Sequence, residues 1–249
     1  MILRMMFSRK WILATLLVVV GAGVCIRLGI WQLDRLDQRR GFNAHYLEMI
    51  ALPPLSITAD SVDDLTTMEY RHVTFTGEYD FTNQIAIRNQ YNADTYGYHL
   101  ITPLLLKDGG PAILVDRGWV PPDNDPAQWR AYDESGTITA TGILRSSRVE
   151  ADFGGLTDPA LPPGETRAIW NQPNISEIAK QLPYPVMPAY VQLDLDPARA
   201  QLPYRYQPEV EITEGPHMGY ALQWFTFAII LAGGYPFFLR KQASLETAK

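Results

Sequence analysis

The side chains best placed to do chemistry open the last apolar run, His217 to Leu239. At about 100° per residue, His217, Tyr220, Trp224, Ala228, Leu231 and Tyr235 fall on one helical stripe. An imidazole at the mouth of that stripe, with two aromatics behind it, suits a flat apolar ligand. The same residues suit a plainer role, with His217 among lipid headgroups and Tyr220 and Trp224 in an interfacial belt. A second set, Arg27, Trp31 and Arg35, is spaced i, i+4, i+8, so a helix puts all three on one side. They can anchor the chain by snorkelling, or form a cationic site for a carboxylate or a lipid headgroup. A third stretch, Val115-Asp116-Arg117-Gly118-Trp119-Val120-Pro121, ends an apolar strand. It reads as a packed strand end, Trp119 closing the core and Gly118 permitting a bend. Alternatively, Arg117, Gly118 and Trp119 offer a contact to a partner protein.

Other chemistry finds little support. There is no Gly-x-Ser-x-Gly, His-Glu-x-x-His or Walker loop, and no strand-linked Gly-x-Gly-x-x-Gly. His45, His72 and His99 stand singly without ligand spacing, so His72 and His99 are expected to be exposed or hydrogen-bonded strand residues. The carboxylates are scattered, and the chain is not expected to be an enzyme. The single cysteine, Cys25, lies in the first apolar run, which leaves no disulfide and no thiolate metal site for the rest of the chain. Copper delivery would call for paired Cys or a Cys/His/Met cluster.

The elements that must hold these residues follow from the hydropathy pattern. A mean hydropathy of −0.11 conceals two apolar ends around a polar middle. Trp11–Ile30 and His217–Leu239 are each long enough to cross a bilayer as a helix, for which ~20 residues suffice. The basic residues Arg4, Arg9, Lys10, Arg240 and Lys241 flank them, so both termini are expected on the cytoplasmic side. No small-x-small site ends the first run, so it reads as an uncleaved anchor, and the setting as a bacterial cell membrane rather than a mitochondrion. Residues 31–216 hold 26 acidic and 14 basic side chains, a balance that disfavours nucleic acid.

The first helix is expected to run to about Ile50 and stop before Pro53-Pro54. A short helix over Asp60–Thr67 comes next. Strands are expected from Tyr70, where Val73, Phe75 and Gly77 alternate with polar residues, and at Gln84–Arg88, Tyr98–Lys107, Ala112–Arg117 and Thr137–Arg145. Asp108-Gly109-Gly110-Pro111 predicts a hairpin. Pro121–Tyr132 is a loop entering a short helix, residues 151–164 are a loop, and strands at Arg167–Trp170 and Ala189–Asp194 surround a helix at Ile175–Leu182. The segment from Pro197 to Pro216 is polar and leads back to the second apolar run. The class is an α+β membrane protein, a β-rich extracytoplasmic domain with minor helices between two transmembrane helices. Its segments are 1–10, 11–30, 31–216 with a juxtamembrane helix, 217–239 and 240–249.

Five blocks of this sequence resemble the Surfeit locus protein 1 family. They are Gly29-x-Trp31-Gln32-x-x-Arg35-Leu36; Tyr70-Arg71-x-Val73 with Gly77-Glu78-Tyr79-Asp80; Gly97 with Thr102-Pro103-Leu104; Arg117-Gly118-Trp119-Val120-Pro121; and His217-x-x-Tyr220-Ala221-x-Gln223-Trp224-Phe225. The chain departs from the family's pattern at Asp116, often Asn, and at Gln38-Arg39, near which the family has a Trp-Lys pair. The resemblance implies an assembly factor for the haem-copper cytochrome c oxidase. It further implies that bacterial members bind haem a and help load the oxidase's large subunit, subunit I. Carried onto this chain, His217 ligates the iron, Tyr220 and Trp224 line the ring, and Arg27 or Arg35, beside Trp31, meets the propionates. Expected partners are subunit I, haem a synthase and membrane lipid. The competing reading is a membrane-anchored scaffold that binds oxidase subunits and carries no cofactor.

Overall fold

Two helices, α1 (Ile2–Met6) and α2 (Ile12–Ala51), open the chain, and α2 ends just before Pro53-Pro54 as expected. The structure is a computed structural model that describes residues 2–61, 65–122, 126–151, 155–196, 199, 201–205 and 210–247. The last helix, α4 (His217–Thr247), runs through Pro236 and past Leu239, taking Arg240 and Lys241 into its final turns. Both α2 and α4 are long and apolar enough to cross a membrane. They belong to one compact unit, residues 1–45 with 211–249, while residues 46–210 form a second. Residues 31–45, within the expected juxtamembrane helix, fall in the helical unit.

Within the helical unit the helices lie antiparallel. The buried positions Cys25, Gly29, Gln32 and Leu36 of α2 step by four, three and four residues, the spacing of a helix-packing seam. Ala221, Ala228, Leu239 and Ala243 are the buried positions of α4. The partners run in opposite order along the two helices. Thr15 Oγ1 and Tyr235 Oη are 2.7 Å apart, the Trp11 and Phe238 rings meet edge to face at 5.7 Å, and a Cβ placed on Gly21 would lie 3.5 Å from Leu231. The other faces expose Leu13, Leu16, Leu17, Ile229, Ile230 and Phe237.

The second unit is a β-barrel. Its strands are β1 (Leu55–Ser56), β2 (His72–Tyr79), β3 (Ile85–Asn92), β4 (Thr95–Leu106), β5 (Ala112–Val120), β6 (Ile138–Ser146), β7 (Ile169–Trp170) and β8 (Val186–Leu193), with helix α3 (Ile175–Ile178) between β7 and β8. Pairing follows β2–β6–β8–β5–β4, and β4 returns to β2 through Gly77–Leu106 and Tyr79–Leu104, which closes a ring of five strands. β3 and β7 extend the sheet beyond β4, and β1 lies beside β2. Alternation in β2 buries Val73, Phe75 and Gly77, and the hairpin at Asp108–Pro111 joins β4 to β5. The barrel interior packs Val73, Phe75, Leu104, Ile113, Val115 and Val191. A second cluster, with Ile85, Leu114, Trp170 and Ile178, packs around β3, β4, β5 and α3. All nine residues of β5 are buried.

The remaining elements fall close to expectation. A single 3-10 turn at Leu65–Thr67 stands at the end of the expected Asp60–Thr67 helix, whose residues 62–64 lie outside the described residues. Another 3-10 turn, Gln128–Tyr132, follows the Pro121 loop, of which 123–125 lie outside them. Residues 155–164 form neither helix nor strand; 152–154 of that expected loop, and 197–198, 200 and 206–209 of the Pro197–Pro216 segment, are again outside the description.

Candidate functional site

His217 is the first residue of α4 and half-buried, and its Nδ1 lies 2.8 Å from Gln32 Oε1. The amide oxygen can only accept, so Nδ1 carries the hydrogen and donates it. In the neutral ring this arrangement puts the lone pair on Nε2. Gly215 keeps space beside Nε2: a Cβ there would stand 3.5 Å from it. Three residues from Gln32 along α2 is Arg35, which lines a shallow depression of about 350 Å³ with Gln38, Arg39, Phe42 and His217. Arg35 donates to Gln38 Oε1 at 3.0 Å, and its guanidinium lies 5.7 Å from the Trp31 ring.

The chain entering α4 is latched to this part of α2. Arg39 Nε donates to the Thr213 carbonyl at 2.9 Å and its Nη2 to the Glu211 carbonyl, while Asn43 Nδ2 donates to the Thr213 carbonyl at 3.1 Å. Arg40 binds both carboxylate oxygens of Glu214 at 2.8 and 2.9 Å. Hydrogen bonding and charge raise the Arg40 pKa above its ordinary value and lower that of Glu214. Both side chains are about half exposed, so this fork specifies geometry more than stability.

Of the six residues expected at a cofactor, the depression brings together Arg35 and His217, with Trp31 joined through Arg35. Tyr220 is 48% exposed one turn into α4, and Trp224 is half-buried against Phe227, their rings edge to face at 5.9 Å. Arg27 is exposed eight residues before Arg35, about 12 Å along the helix. The lower part of the expected stripe has a different role: Ala228 is buried and Tyr235 bonds Thr15, so this half of the face packs against α2. Two residues have roles that their sequence left unassigned. Gln32 orients the imidazole, and Gly29 receives the Phe225 ring, whose Cε1 would lie 2.6 Å from a Cβ at that position.

Arg117, Gly118 and Trp119 lie in the core of the barrel unit. Arg117 is 2% and Trp119 5% exposed, so the expected partner contact meets side chains that the fold has already enclosed. The Arg117 guanidinium lies against the neighbouring rings of Tyr79 and Phe81, 5.1 and 4.8 Å from their centroids, which are themselves 5.5 Å apart. It donates to Gln84 Oε1 at 3.0 Å, to the Tyr132 carbonyl and to Glu134 Oε1 at 3.2 Å. Thr102 donates to the same Gln84 oxygen at 2.6 Å, and Arg199 to the same Glu134 oxygen at 2.8 Å. Burial pushes the Glu134 carboxyl up, but Arg199 and Arg117 outweigh it and hold its pKa below the usual value. Burial pushes the Tyr79 phenol up to about 12, against the pull of Arg117. Gly118, at φ +118°, takes a backbone conformation that only glycine adopts readily, and it lies against the Tyr204 carbonyl.

His99 and Asp116 form a second buried pair, Nδ1 to Oδ2 at 2.8 Å, and Asp116 Oδ1 accepts from the Gly118 N–H at 3.0 Å. Burial opposes the charged imidazole, but the carboxylate's charge and hydrogen bond prevail and raise the His99 pKa. His72 remains at the surface, 3.7 Å from Asp194.

The five sequence blocks thus gather at two places. The first and last meet at His217–Gln32 and at Gly29–Phe225. Tyr79, Thr102 and Arg117, one from each of the other three, meet around the buried guanidinium. Together these features define a protein of two long apolar helices and a β-barrel, with an oriented histidine at the start of the second helix. The chain belongs to the SURF1 family, whose model matches residues 19–229. It is 25% identical over 244 residues to a SURF1-like protein of Caenorhabditis elegans, covering 90% of this chain and 73% of the relative. It is 24% identical over 213 residues to Surfeit locus protein 1 of Rattus norvegicus, covering 80% and 66%, and 26% identical over 235 residues to an uncharacterised SURF1-like protein of Mycobacterium bovis, covering 92% and 83%.

Proposed function

We propose that this protein is a non-enzymatic, membrane-anchored assembly factor for the haem-copper cytochrome c oxidase of a bacterial cell membrane. In this reading it holds haem a at the extracytoplasmic membrane boundary and passes it to subunit I, with haem a synthase as the donor. The observation that carries the reading is the oriented imidazole: Gln32 holds the Nδ1 hydrogen of His217 and leaves Nε2 free beside Gly215. The donor set fits a haem. Among the described residues no three His, Cys, Asp or Glu side chains cluster, and haem iron can be held by one axial imidazole.

Haem, when bound, would supply an iron and an apolar ring carrying two carboxylates. His217 would hold the iron through Nε2, and the hydrogen bond to Gln32 would keep the imidazole in place. Tyr220 and Trp224 would offer aromatic contact to the apolar body, and Arg35 or Arg27 would pair with a carboxylate. Apolar side chains exposed along both helices support a lipid setting, since such surfaces on one molecule mark contact with membrane or partner. The basic ends support a topology with both termini in the cytoplasm and the barrel outside.

Purification from cells that make haem a, followed by a visible spectrum, tests the cofactor. Wild type is expected to carry haem; His217→Ala is expected to lose or reshape the spectrum while remaining folded in the membrane. An unchanged spectrum in His217→Ala overturns the ligand assignment. Wild type that crosslinks to oxidase subunits but carries no haem is instead the scaffold. Reporter fusions at residue 150 and after Lys249 are expected on the exported and cytoplasmic sides, and a cytoplasmic signal at 150 reverses the orientation.

A further inference from the structure

A cavity of about 660 Å³ opens on the wall of the barrel, a size in the ~300–1,000 Å³ range of small-molecule sites. His99 from β4, Asp116 from β5 and Tyr190 from β8 lie in its wall, together with Arg88 from β3, Arg145 from β6 and Arg148 just beyond β6. The charge of the lining is one-sided. Among the described residues Asp116 supplies its one carboxylate, and both oxygens of that group are already engaged, by His99 and by the Gly118 N–H. Arg88, Arg145 and Arg148 also line the cavity, the Arg145 guanidinium resting 5.0 Å from the Tyr70 ring. Glu69, from outside the lining, stands 3.4 Å from Arg145 and offsets part of that charge.

The cavity is also built to use these groups. Residues 87 to 91 all line it, although successive residues of a regular strand point to opposite faces. The register of β3 against β4 shifts between Ile87 and Gln90, and Asn89 takes φ +61°; this bulge turns Arg88, Asn89 and Gln90 to the same opening. Arg88 Nε and Asn171 Oδ1 are buried and make no hydrogen bond among the described residues. Buried polar atoms are nearly always satisfied, by protein, water or ligand.

We propose that this cavity binds a small oxyanion-bearing molecule, with phosphate or carboxylate groups on a polar body, held by Arg88, Arg145 and Arg148. Guanidinium forks match both groups in geometry. The amides of Asn89, Gln90 and Gln172 provide donors and acceptors for the polar body. A polyanion is disfavoured by the acidic excess around the site, 26 acidic against 14 basic residues over 31–216, whereas a small anion meets only the local charge.

The test titrates the full-length protein in neutral detergent with inorganic phosphate and with citrate, reading calorimetric binding. At least one is expected to bind saturably, and Arg88→Gln and Arg148→Gln to weaken it at least about tenfold. Arg148 is exposed, so its variant keeps the fold even where Arg88→Gln does not. Arg130→Gln, outside the cavity and 61% exposed, is expected to bind as wild type does. Competition by phosphatidylglycerol in phosphatidylcholine nanodiscs assigns a lipid headgroup as the source; its absence assigns a free anion. No saturable binding of either probe, or an equal loss in Arg130→Gln, overturns the proposal. None of these measurements involves haem, so their outcome is separate from the fate of the His217 reading.

Discussion

Replacing Gly118 by alanine separates backbone strain from steric clash. Its φ of +118° costs a residue with a Cβ ~1–3 kcal/mol before any neighbour is considered. The new Cβ would then stand 2.4 Å from the Tyr204 oxygen and 2.8 Å from its carbonyl carbon, so that backbone must retreat by about 1 Å to reach ordinary contact. That retreat breaks the bridge between Trp119 and Tyr204, two backbone hydrogen bonds of 2.8 and 2.9 Å worth ~1 kcal/mol each. It also disturbs the parallel stacking of the two rings at 6.2 Å, worth ~0.5–1.5 kcal/mol. The sum is about 3.5–6.5 kcal/mol, or about 7–26 °C in Tm at ~2–4 °C per kcal/mol for a domain of this size. Gly136 supplies the control: its φ is +89°, yet nothing lies within 4 Å of its added Cβ, so Gly136→Ala carries the strain alone. Thermal unfolding of the full-length variants, followed by tryptophan fluorescence, gives both numbers. Equal losses in the two variants would refute the assignment of energy to the Tyr204 contact.

Three more outcomes follow from the described geometry. Gln32→Leu removes the acceptor that orients His217, and haem affinity is expected to fall ~10–100-fold with the His-ligated spectrum retained, read by haem titration of the purified protein. The His99–Asp116 pair stabilises the fold through a raised imidazole pKa, so its contribution is full below ~6.5, the unfolded value, and is lost as pH rises through the elevated folded value. The Tm difference between wild type and Asp116→Asn is therefore expected to shrink from pH 6 to pH 9, and a widening difference contradicts the sign. Arg117→Met keeps the bulk beside Tyr79 and Phe81 but leaves the Tyr132 carbonyl without this donor and Glu134 without one of its two guanidiniums, at an expected ~3 kcal/mol in chemical denaturation; a loss below ~1 kcal/mol contradicts a structural role for the charge.

Much of the secondary structure was legible because the alternation of β2 and the continuous apolar runs of β4 and β5 each mark a strand locally. Val73, Phe75 and Gly77 mark β2 without help from any other segment, and Pro53-Pro54 marks the end of α2. What the sequence withheld depends on pairs far apart. The β2–β4 contact that closes the barrel joins strands whose hydropathy would serve an open sheet equally well. His99 and Asp116 are 17 residues apart on separate strands, and no spacing rule links them. Gln32 and His217 are 185 residues apart, and although both stand in family blocks, neither block says that one holds the other's proton. The β3 bulge was hidden too, because Asn89 gives no stronger sign than the ordinary tolerance of Asn for positive φ. Arg117 was noticed for its type, but its burial against Tyr79 and Phe81 comes from three-dimensional packing alone.

The closed ring limits how a partner protein can grip the barrel. Five of its strands are hydrogen-bonded on both sides, so no long open edge remains among them for another chain to extend. At the margins stand β1 and β7, each two residues long and parallel to its neighbour. The uncovered stretch of β3 is bent by the Asn89 bulge, which spoils it as a template for an incoming strand. Recognition by strand addition would gain few backbone hydrogen bonds here, so a partner has to read side chains and loops. Such a surface can be engaged and released without unzipping any sheet.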